Sequence, residues 1–278
     1  MSSLTALSTV LWVLVSPQTW TVLFVLSNVG SATRMVLDPE AAARMFGYVS
    51  KPVPRVLIEG CGYIALSSSL TISILALTPA IAERTADNHD THRAVGLGLL
   101  LRQYWLIQSY VTGTFLTAGL QPQLVWNVGL FCFLPLCILS LLFGTNDTGE
   151  TSLMDPQRAG VLIMASLIAL SVYILFLPES AARWLFDADL SRSDMVLDRG
   201  VFRGFGQGNL INSTLLCFLI HGTGLHRSLG YTCLVWGCIS LYGGFISTMH
   251  KDLGISRGRF VIQTVTAGIF AIVMLLQS

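Results

Sequence analysis

The chain has 278 residues, 53% hydrophobic and only 11% charged, with a formal net charge of +1. A soluble globular domain carries about 25% charged residues, so this composition excludes an ordinary soluble enzyme. With no basic block along the chain, a nucleic-acid partner is not expected either.

A helix that crosses the bilayer needs about 20 mainly apolar residues, and in lipid only helices or closed barrels satisfy their own backbone groups. Taken in chain order, the first apolar stretch, Leu4–Val15, is short for a span and follows no basic residue. It reads as an interfacial helix or an extension of the first span, and not as a cleaved signal peptide. Spans are then expected at 19–37, 55–80, 93–118 and 122–143. The polar connector 144–157 follows, carrying the glycosylation sequon Asn146-Asp147-Thr148. Further spans are expected at 158–176, 196–220, 227–249 and 258–276. The six cysteines, Cys61, Cys132, Cys137, Cys217, Cys233 and Cys238, all fall inside apolar stretches and read as small hydrophobic filling.

The two halves resemble each other. Pro39-Glu40 and Ala42-Ala43-Arg44 recur half a chain later as Pro178-Glu179 and Ala181-Ala182-Arg183. At the same offset Val56-Leu57-Ile58-Glu59 falls on Met195-Val196-Leu197-Asp198, and His92-Arg93-Ala94-Val95-Gly96 matches His226-Arg227-Ser228-Leu229-Gly230 after a short gap. The predicted fold is therefore an all-α membrane protein of about eight transmembrane helices in two tandem, parallel four-helix repeats. Its parts are an N-terminal apolar segment (1–18), a first repeat (19–143), the connector (144–157) and a second repeat (158–278). Arg84, Arg93, Arg158 and Arg227 lie on the side of the termini. The opposite side holds the larger set that includes Arg44, Lys51, Arg183, Arg192, Lys251, Arg257 and Arg259. The positive-inside rule makes that opposite side cytoplasmic. Both termini are then lumenal, which suits the endoplasmic reticulum and the sequon.

Ionisable groups inside a span are costly and mark function; here they are Glu59, Arg102, Asp198, Arg199 and Arg203. On the sixth span Asp198, Phe202, Phe205, Asn209 and Asn212 recur at helical spacing and share one face. The second span repeats the acid and the first aromatic as Glu59 and Tyr63. The third adds Arg102, Tyr104, Trp105 and Gln108. This asymmetry predicts one cavity shared by the halves. A structural alternative pairs Glu59 and Asp198 with Arg55, Arg199 or Arg203. The Pro-Glu-x-Ala-Ala-Arg segments read as helix starts, because proline suits the first turn and the glutamate complements the helix dipole. Histidines His89, His92, His221 and His226 are too few for a di-iron centre, and Asp187, Asp189 and Asp194 do not form a magnesium-pyrophosphate cluster. No metal or cofactor is expected.

In span number, length, lack of a metal motif and acids near one membrane face, the chain resembles the fungal integral-membrane terpene cyclases of meroterpenoid pathways. The resemblance covers the whole chain in architecture and rests at residue level on Glu59, the Asp198 face and its aromatic and amide neighbours. It implies proton-initiated cyclisation of a lipophilic prenylated substrate, with protonation of a terminal epoxide or olefin and no loss of pyrophosphate. Asp198 is then the leading acid and Glu59 the second. Tyr63, Tyr104, Trp105, Phe202 and Phe205 would face the carbocation, and Arg102, Gln108, Asn209 and Asn212 would bind the polar head. Two other classes remain open at this level: a small-molecule transporter or channel, and a non-catalytic subunit of a membrane assembly.

Overall fold

The computed structural model describes residues 16–45, 52–77, 88–144, 154–192 and 195–276. Leu4–Val15, most of the connector and the Asn146 sequon lie outside these residues. Among the described residues every regular element is helical. Helix α1 (Pro17–Leu37) passes through Asp38 into the short α2 (Pro39–Met45), and α3 (Pro52–Leu77) and α4 (Asn88–Val111) follow. The single turn α5 (Thr114–Thr117) precedes α6 (Leu124–Phe143). After the connector come α7 (Pro156–Phe176), the short α8 (Pro178–Phe186), α9 (Val196–Ile220) and α10 (Leu225–Ile246). The short α11 (Met249–Asp252) and α12 (Arg257–Leu276) complete the chain.

Six helices (α1, α3 from Arg55, α6, α7, α10 and α12) are long and apolar enough to cross a membrane, an architecture consistent with an all-α membrane protein. Helices α4 and α9 match them in length, with 24 and 25 residues, or about 36 Å of rise each. Arg93 and Arg102 in α4, and Asp198, Arg199 and Arg203 in α9, make these two the more polar of the set.

Local chemistry explains where the helices begin and end. Pro17, Pro39, Pro52, Pro156 and Pro178 each open a helix, where the missing N–H goes unused and φ is already set. Both Pro-Glu segments are helical, with Glu40 or Glu179 in the first turn and Arg44 or Arg183 in the last, each at the dipole end that suits its charge. Helix α4 stops at Val111, short of the expected span end, because Gly113 adopts a left-handed φ of 65° and turns the chain into α5. The seventh expected span likewise ends early, in a wide π turn over Tyr242–Ile246 before α11. A second π turn, Gly129–Phe133, lies in α6. Such a turn loosens the carbonyl ladder, and Gln103 Nε2 of α4 donates to Leu130 O there at 3.0 Å.

Helices α3 and α9 pack on each other at the centre. Helices α1 and α4 flank α3, α7 and α10 flank α9, and α6 joins α4 to α7. Helix α12 packs on α10 and reaches α1, where Phe270 meets the edge of Trp20 at 4.5 Å. Small residues set the crossings, as expected where lipid supplies no hydrophobic drive between helices. A Cβ on Gly62 would lie 2.9 Å from Ala32 O, and one on Gly206 would lie 3.1 Å from Leu175 N. One on Gly98 would lie 2.7 Å from Ser67 O and closer still to Thr71 Oγ1, which itself reaches Ala94 O at 3.2 Å. Gly98→Val is therefore expected to force α3 and α4 apart and to cost about 1–3 kcal/mol. A lower midpoint of thermal unfolding in detergent checks this; an unchanged midpoint would refute the tight crossing.

The buried side chains form two main layers. Ile72, Leu99, Leu141, Met164, Leu216 and Ile220 fill the layer toward the α4 and α10 starts. The opposite layer, around the first turns of α3 and α9, is aromatic.

Candidate functional site

Glu59 lies near the start of α3 and is half-buried. Its side chain faces a cavity of about 700 Å³ walled by the end of α1 (Val36, Leu37), the start of α2 (Pro39, Glu40), α3, the end of α4 (Gln108, Ser109), Thr112 just beyond it, and α5 (Thr114, Thr117). That volume lies within the range of small-molecule sites, about 300–1,000 Å³. Arg55, one turn earlier on α3, is drawn to Glu40 at 3.5 Å, with both side chains well exposed. No salt bridge or hydrogen bond joins the Glu59 carboxylate to another described residue. Tyr63, one turn deeper and 9% exposed, donates its hydroxyl to Gln108 Oε1 at 3.4 Å. That contact turns the amide on the cavity wall.

An aromatic cluster stands directly behind the acid. Trp105 is 2% exposed and its ring meets Phe205 at 6.1 Å and Phe115 at 5.8 Å. Phe115 stacks on Phe186 at 5.8 Å and meets Trp126 at 6.1 Å. Phe186 meets Phe202 at 6.2 Å, and Phe202 stacks on Phe205 with an interplanar angle of 9°. Edge and offset contacts of this kind add stability beyond the buried area. Gly60, next to Glu59, lets the helices close, since a Cβ there would lie 2.5 Å from the Trp105 ring and 3.1 Å from Phe205.

Asp198 lies in the first turn of α9 and is 2% exposed. Its neighbours Arg199 and Arg203 point to other partners. Arg199 donates to Asp252 from Nε at 3.2 Å and Nη2 at 3.0 Å, and from Nη1 to Glu179 at 2.8 Å. Arg203 Nη1 reaches Asp252 at 3.0 Å. Arg55, Arg199 and Arg203 thus bridge to Glu40, Glu179 or Asp252, and the charge of Arg55 also acts on Glu59, one of the pairings named by the structural alternative.

The remaining sequence candidates separate. Phe202, Phe205 and Trp105 join the aromatic cluster, and Gln108 lines the cavity. Tyr104 is 57% exposed and faces outward, its ring 5.9 Å from Tyr63. Arg102 is 5% exposed, one turn below Trp105, and its Nη1 finds no hydrogen-bond partner among the described residues. Asn209 does not reach the cavity; its Nδ2 donates to Ser171 Oγ of α7, tying two helices together. Asn212 donates to Gly208 O of its own helix at 2.7 Å. The cavity beside Glu59 is lined by residues 36–118, and Phe202 and Phe205 pack with Phe186 and Trp105 where the two halves meet.

No family model, curated protein or solved structure matches this chain. The reading of the site therefore stands on its own geometry. Sequence reasoning missed Phe115, Trp126 and Phe186, the threonines of the cavity rim, and Asp252. A signal existed for Phe186: Pro178, Ala181, Ala182, Leu185 and Phe186 recur at helical spacing and form the buried face of α8. Asp252 sits in a one-turn helix with no periodicity to announce it.

Proposed function

We propose that this chain is an integral-membrane terpene cyclase that starts cyclisation of a lipophilic prenylated substrate by protonating its terminal epoxide or olefin, without a metal. The observation that carries the proposal is Glu59, a carboxyl on the wall of a cavity of about 700 Å³ with no salt bridge or hydrogen bond to another described residue. An intramembrane acid not consumed in an ion pair is a functional group by default. In the proposed reaction Glu59 gives its proton to the epoxide oxygen, the C–O bond opens, and the neighbouring alkene supplies the electron pair for the new C–C bond. Loss of a proton from the last cation returns the balance. Tyr63 and Gln108 orient the polar end of the substrate. The cavity favours Glu59 as donor, and Asp198 stands as the second acid.

In the same proposal all the long helices span the membrane, α4 and α9 included, as two parallel repeats with lumenal termini in the endoplasmic reticulum. The order long, short, long supports the duplication: Pro17–Leu37, Pro39–Met45 and Pro52–Leu77 recur as Pro156–Phe176, Pro178–Phe186 and Val196–Ile220. Membranes carrying the protein, supplied with a farnesylated phenol and its terminal epoxide, are expected to yield a cyclised product. Absence of product from the wild type would overturn the proposal.

A second reading is favoured by the chemistry of the wall, where Gln108, Ser109, Thr112, Thr114 and Thr117, together with Glu40, Arg55 and Glu59, outnumber the apolar Val36, Leu37, Pro39, Val56 and Ala118. Such a wall also suits a polar solute in a transporter. Uptake of a labelled solute into proteoliposomes, abolished in Glu59→Gln, would support that reading instead.

A further inference from the structure

Asp252 is the hub of a charge cluster that binds three separate elements at the mouth of α9. Its side chain is 5% exposed, and it accepts from Arg199 Nε and Nη2, from Arg203 Nη1 and from Thr248 Oγ1 at 3.0 Å. Glu179 of α8 takes the remaining Nη1 of Arg199, so two guanidinium charges are balanced by two carboxylates. The grip is reinforced by close backbone approach, since a Cβ on Gly200 would lie 3.0 Å from Asp252 Cβ and 2.8 Å from Leu253 Cδ2. Arg199 and Arg203 are one turn apart on a single face of α9. Fixing that face on α11 and α8 also fixes the rotation of the helix about its axis, and with it the face that carries Asp198, Phe202 and Phe205 toward the aromatic layer.

We propose that Asp252 is a positioning residue: it locks the rotation of the α9 start and thereby holds Asp198 in place, a role that rests on the reading of Asp198 as the second acid of the cyclase. Neither Asp252 nor Glu179 touches the substrate. They act through Arg199 and Arg203.

The test uses the full chain in membranes and has a readout that does not depend on activity. In an Asp198→Cys background, modification of the new thiol by a small methanethiosulfonate reagent reports how firmly the α9 start is held. Cys137, 0% exposed in the other layer, serves as the internal control. Asp252→Asn, which keeps the shape but removes the charge, leaves the largely buried Arg203 guanidinium, 14% exposed, without its carboxylate. It is expected to speed modification at position 198 about tenfold while Cys137 stays protected, since local opening is confined to the released segment. Asp252→Glu is expected to retain protection. With Asp198 intact, Asp252→Asn is expected to lower kcat with little change in KM.

Continued protection at position 198 in Asp252→Asn would overturn the proposal. Simultaneous exposure of position 198 and Cys137 would overturn it as well, because the role would then be general stability. If the modification pattern is as expected but wild-type membranes form no cyclised product, the locking role stands and the cyclase reading falls.

Discussion

Replacing Glu59 by Gln is expected to reduce cyclisation by about a hundredfold to ten-thousandfold, the usual contribution of a positioned general acid, while substrate still binds. The amide matches the carboxyl in size, so the wall formed with Arg55, Val56 and Gln108 keeps its shape. It has no acidic proton to give. Because no described residue bridges to Glu59, the substitution breaks no salt bridge among the described residues and is expected to leave thermal stability unchanged. This pattern separates chemistry from architecture: product formation measured by mass spectrometry falls, and the unfolding midpoint holds. If Glu59→Gln retained full turnover, Glu59 would be excluded as the donor, and Asp198→Asn would become the deciding variant.

The largest stability effect is expected at Phe186. Its ring is 2% exposed and touches Phe115, Trp126 and Phe202, so it joins the end of α8 to α5, α6 and α9. Truncation of a buried phenylalanine costs about 3–5 kcal/mol, and Phe186→Ala is placed at the upper end because the rings around it are held by other contacts and do not collapse inward. Phe186→Leu, which keeps most of the volume, is expected to lose much less. Unfolding of the purified protein in detergent, followed by circular dichroism, measures both. Equal midpoints for the Ala variant and the wild type would show that the cluster is not a structural joint.

The helices themselves were readable from sequence because a run of apolar residues bounded by prolines leaves few alternatives in lipid. Their ends were less readable. Val111 closes α4 where apolar composition continues, and only the left-handed Gly113 marks the break. In the site, the shared face of Asp198, Phe202 and Phe205 followed from helical spacing, yet spacing on one helix does not say which neighbour a face meets. Asn209 and Asn212 share a stripe with Asp198, but Asn209 turns to Ser171 on α7 and Asn212 back to Gly208. Likewise Arg199 and Arg203 sit beside Asp198 in sequence, while their counter-charge comes from Asp252, far along the chain and outside any periodic pattern. Long-range partners of short, irregular elements are what a single sequence hides.

The short α5 has a consequence for traffic. Its Phe115 is pegged into the aromatic layer at 1% exposure, and just beyond it the N–H groups of Gln121 and Gln123 donate to Phe186 O and Leu185 O at 2.8 and 2.9 Å. Thr114 and Thr117 therefore form a fixed sill, hinged to nothing. A doorway into the cavity has to be framed by other parts, and α1, whose packing face is the thinnest of the six apolar helices at 11% buried, is the jamb with room to give. On the cyclase reading, an oily guest arrives sideways past Val36 and Leu37, straight from the lipid that delivered it.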